Sequence, residues 1–373
     1  MRKSLNVAAR SAAALAVLVA AGCGSSDSGS SAGDGSEADV EGAKAFIADY
    51  VGKPSAFPVD EPLEKKVPAG SEIVFFDIGT SIAAIQWALF EGAAGAMGLE
   101  PVRVKTAPDA KSISDAMDSV VSQEPAGVVI IGADPALYSR QLDQLRENGT
   151  TVVASSIQNG EEYGFGPVTY GGPDVQVAGE LMAAWTIARG EGDVEEVAIY
   201  NIPELAFSAP MAEAATAKLE ELCPDCEVRT VDVSITKLGA GADQNIISDL
   251  QANPNTTAAI LATDELANGL PVALDTAGIE LTTVGPGPSP ANLQQIKDGT
   301  EDAALGIDLA VQVWALVDQF AREHTGQELT GPMAEGAIVK QFVTQDDVDD
   351  PSKGFSAYPD FAERFTKLWS AAE

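Results

Sequence analysis

Histidine is nearly missing from this sequence, with one in 373 residues. That leaves little material for a Ser-His-Asp triad or a multi-histidine metal site. Basic residues are scarce as well: 22 Lys and Arg stand against 56 Asp and Glu, a net charge of −34. A surface that displaces counterions from phosphates needs a basic face, so nucleic acid is an unsuitable partner. The same negative field repels an anionic lipid surface. Beyond the N-terminus no apolar run approaches the roughly 20 residues that a membrane-spanning helix needs. Enzyme signatures are missing too. There is no G-x-x-x-x-G-K-[ST], no G-x-G-x-x-G after a strand and no G-x-S-x-G elbow.

What remains is the composition of a globular protein, 45% hydrophobic and 21% charged. The length suggests about two domains plus appendages, enough to bury a large core without disulfide staples. Residues 1–22 read as a targeting segment. Arg2, Lys3 and Arg10 form a basic start, and an apolar run over 12–21 follows. Leu18-Val19-Ala20-Ala21-Gly22-Cys23 resembles a bacterial lipobox, with small residues suited to a narrow peptidase cleft. Cys23 is then the expected lipidation site, and the mature chain is tethered to the extracytoplasmic face of the cell membrane. An ordinary secretory signal is the alternative. Residues 23–40 are rich in Gly, Ser and Asp, which cannot bury enough apolar surface to order themselves, and read as a flexible leash. Residues 41–70 read as an N-terminal helix and an approach marked by Pro54, Pro58, Pro62 and Pro68.

From residue 72 onward short apolar runs alternate with helical spacing. Strands are expected over 72–77, 102–105, 127–132 and 151–154, with helices between them. The pattern restarts with strands over 196–200, 227–233, 258–262 and 281–284. Continuously apolar strands alternating with helices imply a parallel sheet covered on both faces, so an α/β protein of two doubly wound lobes is expected. Ligands of such sheets sit beyond the carboxyl ends of the strands. Cys223 and Cys226 flank Pro224-Asp225 between a helical and a strand pattern. A small local disulfide fits that turn best, ahead of redox chemistry or a zinc site.

The strand-end loops carry hydroxyls, amides and carboxylates, with Lys237 as the one cation. Such groups suit a neutral polar ligand better than an anion. Thr80, Ser81, Ser208, Thr263 and Asp264 all precede helices, so helix capping competes with ligand binding for each. His324 lies at a helix end and reads as solvated or capping. Asp346-Asp347-Val348-Asp349-Asp350 lacks the glycine and distal glutamate of a calcium loop and reads as a solvated acidic loop.

The ordered set of motifs resembles the ribose-type (periplasmic-binding-protein-like I) substrate-binding lipoproteins of ABC transporters, in an actinobacterial branch. Asp264-Glu265-Leu266-Ala267-Asn268-Gly269 is similar to the family's N-D-x-x-A-x-G turn. Gly127-Val128-Val129-Ile130-Ile131 with Asp134-Pro135 is similar to its D-G-I-I-I…D-P segment, and the run 147–153 to its A-x-G-I-P-V-V. The resemblance implies lobes of 71–172 with 308–332 and of 173–307 with 333–373, joined by hinge crossovers. The charged clamps for a pentose are missing: Ser156-Ile157 stand where an Asp-Arg pair is usual, and Thr263 replaces an Asn.

The expected function is an extracytoplasmic receptor of an ABC importer that traps a small polar solute between its lobes. The solute is sugar or sugar-like, or a less polar neutral or cationic one. No catalysis, cofactor or metal is expected. Thr80, Ser81, Gln86, Asp134, Ser156, Ser208, Thr263 and Asp264 are the expected hydrogen-bonding residues, with Phe207 for apolar contact and Asp308, at a lobe crossover, expected to touch both ligand and hinge. The expected partners are the solute, a permease with its ATPase, and the membrane through the lipid anchor, with the chain itself a monomer. Two rivals share parts of this reading: a sensory binding protein that reports to a membrane receptor, and an extracytoplasmic hydrolase.

Overall fold

The computed structural model describes residues 38–54, 56–79, 82–370 and 372. The expected signal segment, Cys23 and most of the leash lie outside the described residues, as do Thr80 and Ser81. Among the described residues no helix is long and apolar enough to cross a membrane.

The first helix, α1 (Val40–Ile47), starts where the leash was expected to end. Asp39 caps it by accepting from the Gly42 N–H at 2.8 Å, and the Asp39 N–H donates to the Leu222 carbonyl at 2.7 Å. The first lobe follows as β1 (Glu72–Asp77), α2 (Ala83–Met97), β2 (Glu100–Lys105), α3 (Ala110–Gln123), β3 (Gly127–Ile131), α4 (Ser139–Glu147) and β4 (Thr151–Ser155). Its sheet is parallel throughout, in the order β2-β1-β3-β4. Strand β1 shows why the apolar runs are continuous. Ile73 and Phe75 pack with Phe90, Trp314 and Phe320, while Val74 and Phe76 pack with Ile113, Met117 and Leu142. Alternate residues thus serve opposite faces, and both faces are covered.

The second lobe repeats the plan with α5 (Gly172–Arg189), β5 (Glu196–Asn201), α6 (Ser208–Leu222), β6 (Glu227–Asp232), α7 (Ala242–Ala252), β7 (Thr256–Leu261), α8 (Leu270–Ala277), β8 (Thr282–Val284) and α9 (Pro290–Lys297). Its parallel sheet has the order β6-β5-β7-β8. Helices α5 and α6 touch backbone to backbone: a Cβ on Gly179 would lie 2.2 Å from the Met211 carbonyl oxygen. Cys223 and Cys226 form the expected disulfide at the end of α6. The helical stretch between β7 and β8 is broken. Asp264–Ala267 forms a 3-10 turn, Gly269 takes a left-handed φ of 81°, and α8 begins only then, with Pro271 in its first turn.

The chain then passes back and forth between the lobes through β9 (Ala304–Ile307), α10 (Leu309–Thr325), β10 (Lys340–Val343) and α11 (Phe361–Trp369). Strands β9 and β10 pair antiparallel, which the apolar patterning did not suggest. Helix α10 packs in the first lobe, and Phe342 of β10 stacks on Trp185 of the second at 6.0 Å. The assignment of 333–373 to the second lobe needs correction. Ile338 and Phe342 do pack there, but Phe365 and Trp369 of α11 lie in the first-lobe core with Ile73 and Phe90. The amphipathic stripe of α11 is long enough to reach whichever apolar face is left uncovered, and α10 leaves one beside Trp314, whose ring stacks on Trp369 at 5.4 Å.

One buried ion pair holds this arrangement. Asp318 and Arg322 on α10 are 1% and 3% exposed, and Arg322 Nε donates to Asp318 at 2.6 Å. Arg322 Nη2 also donates to the Glu61 carbonyl at 2.6 Å, and Trp369 Nε1 donates to Asp318 at 2.8 Å. The proline-marked N-terminal segment, α10 and α11 therefore meet at one ion pair. Asp318→Ala strands the buried guanidinium and is expected to cost about 3–5 kcal/mol in urea unfolding. A loss below about 1 kcal/mol would contradict this reading.

Candidate functional site

The carboxyl edges of the two sheets converge on one hinge. At the end of β4 the Ser155 hydroxyl donates to the Thr169 carbonyl at 2.7 Å, and the Ser156 N–H donates to the same carbonyl at 2.8 Å. The next residue, Tyr170, puts its ring 5.7 Å from Phe207 in the loop after β5 of the other lobe. Residues 156–171 thus carry the chain from one strand-end edge to the other, the place where doubly wound sheets bind ligands. Helix α10 braces this crossing through Gln312, whose Nε2 donates to the Ser155 hydroxyl.

The crossing is strained. Ser156, Asn159 and Tyr170 have φ of 57°, 53° and 51°, a left-handed backbone that residues with a Cβ seldom adopt. Each costs on the order of 1–3 kcal/mol, and such strain gathers at functional sites held by their surroundings. Tyr170 is buried, which pushes its phenol above the usual range.

A second anchor is Asp308, between β9 and α10. Its carboxylate accepts from the Val311 N–H at 3.0 Å, the Ser356 hydroxyl at 2.8 Å and the Ala357 N–H at 2.8 Å. Its own N–H donates to the Val339 carbonyl at 3.1 Å. Three passes of chain between the lobes are therefore pinned at one residue. Burial pushes the Asp308 carboxyl up despite these donors. Nearby, Lys340 of β10 is ion-paired with Asp174 in the first turn of α5. Burial lowers the Lys340 ammonium and raises the Asp174 carboxyl.

These contacts sort the expected site residues. Phe207 faces Tyr170, and Ser156 is tied through its N–H to the adjoining Thr169 carbonyl. Thr263 stands half-buried at the end of β7, with extended backbone and no capping bond from its side chain. Asp134 stays exposed at the end of β3, where it caps the following turn by accepting from the Ala136 N–H at 2.9 Å. Four of the expected ligand residues are buried or committed elsewhere in the fold. Gln86 is buried on the packed side of α2 with Ala83 and Phe90. The Ser208 hydroxyl is consumed inside the second lobe, donating to Asn201 Oδ1 at 2.5 Å and accepting from the Ile202 N–H at 2.9 Å. Asp264 is wholly buried beneath its turn, and Asp308 spends its lone pairs on the hinge. His324 is half-buried, not solvated: its ring lies 5.3 Å from that of Phe320 and its Nδ1 3.2 Å from the Thr151 hydroxyl. Tyr170, Thr169 and Gln312 were not foreseen. Only the Gly171-Gly172-Pro173 break beside Tyr170 hinted at a turn there. Among the described residues no group of three or more His, Cys, Asp or Glu is arranged to hold a metal.

Paired parallel lobes, a hinge at their carboxyl edges and a strained crossing define a two-lobed binding protein. Residues 73–328 match the periplasmic binding protein domain family, and the chain belongs to it. This is a family of binding proteins, not of enzymes. No curated protein matches the chain. The fold is similar to that of an ABC transporter periplasmic solute binding protein from Actinobacillus succinogenes 130z with bound D-allose. That similarity has 16% identity and a TM-score of 0.65, covering 74% of this chain and 99% of the other. A periplasmic ribose ABC transporter protein from Conexibacter woesei DSM 14684 is 21% identical over 78% and 97% of the two chains, with a TM-score of 0.63. The 5-methylthioribose transporter solute binding protein from Thermotoga lettingae TMO, in complex with 5-methylthioribose, is 15% identical over 83% and 99%, with a TM-score of 0.66.

Ser156→Gly should raise the melting temperature, because glycine accepts the left-handed backbone without strain, a gain of about 0.5–1 kcal/mol. A lowered melting temperature would show that the Ser156 side chain is structural. Asp308→Ala strands three donors and should cost on the order of 3 kcal/mol in denaturant titration. An unchanged midpoint would remove Asp308 from the hinge.

Proposed function

We propose that this protein is the extracytoplasmic solute-binding component of an ABC importer and captures a small polar organic solute between its lobes. The single observation that carries the reading is the family match over 73–328, the part of the chain that forms both four-stranded sheets and the first crossings between them. The sugar and methylthiosugar bound by similarly folded proteins support a sugar-like solute here. The polar strand-end residues Ser156 and Thr263, with the Tyr170–Phe207 pair, suit a neutral ligand that has both hydroxyls and an apolar face. The negative net charge tilts the preference away from anions.

Capture works by population shift. A solute that touches both lobes binds the closed arrangement better than the open one, and only this difference in affinity drives closure. No bond in the solute changes. The closed protein then hands its cargo to a permease and its ATPase. Export through residues 1–22 and acylation of Cys23 fit this role, since a tethered monomer stays near its permease.

Calorimetric titration with D-allose, ribose and 5-methylthioribose, paired with X-ray scattering, tests the reading. At least one of these is expected to bind in the micromolar range or tighter and to shrink the radius of gyration. Tight binding with no compaction, or turnover of a bound solute, overturns it. For the anchor, mass spectrometry of the membrane fraction should find a diacylated N-terminal Cys23, and Cys23→Ser should release the protein from membranes. A soluble mature N-terminus elsewhere rejects the anchor and leaves solute capture intact.

A further inference from the structure

Beneath the turn that carries Thr263 lie two carboxyl groups that solute capture does not use. Asp264 is 0% exposed and Glu301, just before β9, is 4% exposed. The site is built where three strand-end loops meet. The Asp264 N–H donates to the Pro286 carbonyl at 2.9 Å, and the Leu305 N–H donates to the Gly285 carbonyl at 2.8 Å. Gly285 is required here, because a Cβ would come within 2.8 Å of the Asp264 carboxyl.

The hydrogen-bond inventory does not balance if both acids are ionised. Glu301 Oε2 accepts from Asn292 Nδ2 at 3.3 Å and Gln295 Nε2 at 2.9 Å, and Asn292 Nδ2 also donates to the Asp264 carbonyl at 2.8 Å. Both Asp264 carboxyl oxygens and Glu301 Oε1 are buried and receive no N–H or O–H from the described residues. The charged neighbours are also acidic or already engaged. Asp302 adjoins Glu301 and is ion-paired with Arg189 at 3.1 Å, and Glu265 follows Asp264 in the turn. Two adjacent buried carboxylates with no cation are untenable, whereas one shared proton turns an acceptor into the missing donor.

We propose that Asp264 and Glu301 form a proton-sharing pair that latches the strand-end turn of the second lobe, and that losing the proton above neutral pH frees this turn and weakens solute capture. The latch rests on the geometry of the pair; its effect on capture rests on the function proposed above. Burial and the Glu301 carboxyl push Asp264 well above the usual carboxylate range, and burial, with Asp302 beside it, pushes Glu301 up to about 7 against the hydrogen bonds it accepts. Because both are raised above their unfolded values, their contribution is complete at low pH. It declines as pH climbs through about 7, and further when Asp264 also ionises.

Hydrogen exchange of the full chain at pH 6, 7 and 9, corrected for intrinsic rates, tests the latch directly. Protection of amides 264–269 in the wild type is expected to fall about tenfold or more between pH 7 and 9, while amides in β1 hold steady. In Asp264→Asn and Glu301→Gln an amide donates without titrating, and the fall should shrink to about twofold or less. An equal fall in the wild type and a folded variant, or a flat wild-type profile, overturns the proposal. If a variant does not fold, the wild-type contrast between 264–269 and β1 decides. Protection restored at pH 9 by calcium chloride also overturns it, in favour of a cation between the acids. Titrations with D-allose and 5-methylthioribose at pH 6 and 9 read the consequence for capture, with affinity expected to drop in the wild type and not in Asp264→Asn. Unchanged affinity of a bound sugar overturns the coupling. Should neither sugar bind at any pH, solute capture fails and the exchange data still decide the latch.

Discussion

Everything in this architecture depends on keeping two separately packed lobes in register while chain passes between them. Asp308 carries much of that constraint, because its carboxylate holds the start of α10 and the segment entering α11 while its N–H holds the segment entering β10. A carboxylate suits the task. It accepts from several donors at once, and burial makes each lost bond expensive. The lobes themselves need no such device, since each buries both faces of a parallel sheet and is stable by apolar burial. The polar residues of the hinge therefore govern geometry, and the cores govern stability.

The segments outside the family's domain deepen this division. Helix α1 packs on the second lobe while Val59, Leu63 and Val67 pack on the first, so the N-terminal segment spans both. Helix α11 returns to the first lobe and meets that segment, where the Leu63 N–H donates to the Leu368 carbonyl at 3.1 Å. The Asp318–Arg322 pair is the polar centre of this seam. Such straps make the first lobe and its appendages one packed body.

Strain and unmatched polar groups also mark the strand-end edges of the two lobes. Ser156, Asn159 and Tyr170 hold unfavourable backbone in one crossing, and Asp264 with Glu301 bury carboxyl oxygens without donors beneath the turn that carries Thr263. Sequences keep such local conflicts where function needs them and compensate elsewhere. Here the compensation is visible in Gln312 bracing Ser155 and in Asn292 bridging the acid pair.

The strands and most helices were legible because their signals are local. The run Ile73-Val74-Phe75-Phe76 has to lie in a sheet covered on both faces, and Cys223-Pro224-Asp225-Cys226 has to turn. Composition alone also argued against a nucleic-acid partner. The candidate site was legible only as a set of strand-end residues. Ser208 and Ser156 look alike in sequence, yet one hydroxyl is spent on Asn201 and the other lies at the crossing. Asp264 and Asp308 likewise look like ligand-binding carboxylates, and each turns inward. The sequence by itself determined the two parallel lobes and the sign of the charge, because periodicity and composition act through neighbouring residues. Only the tertiary structure decided which polar groups stay available, the lobe that takes α11, and the meeting of Asp264 with Glu301. Those outcomes depend on partners brought together by folding, which no local pattern encodes.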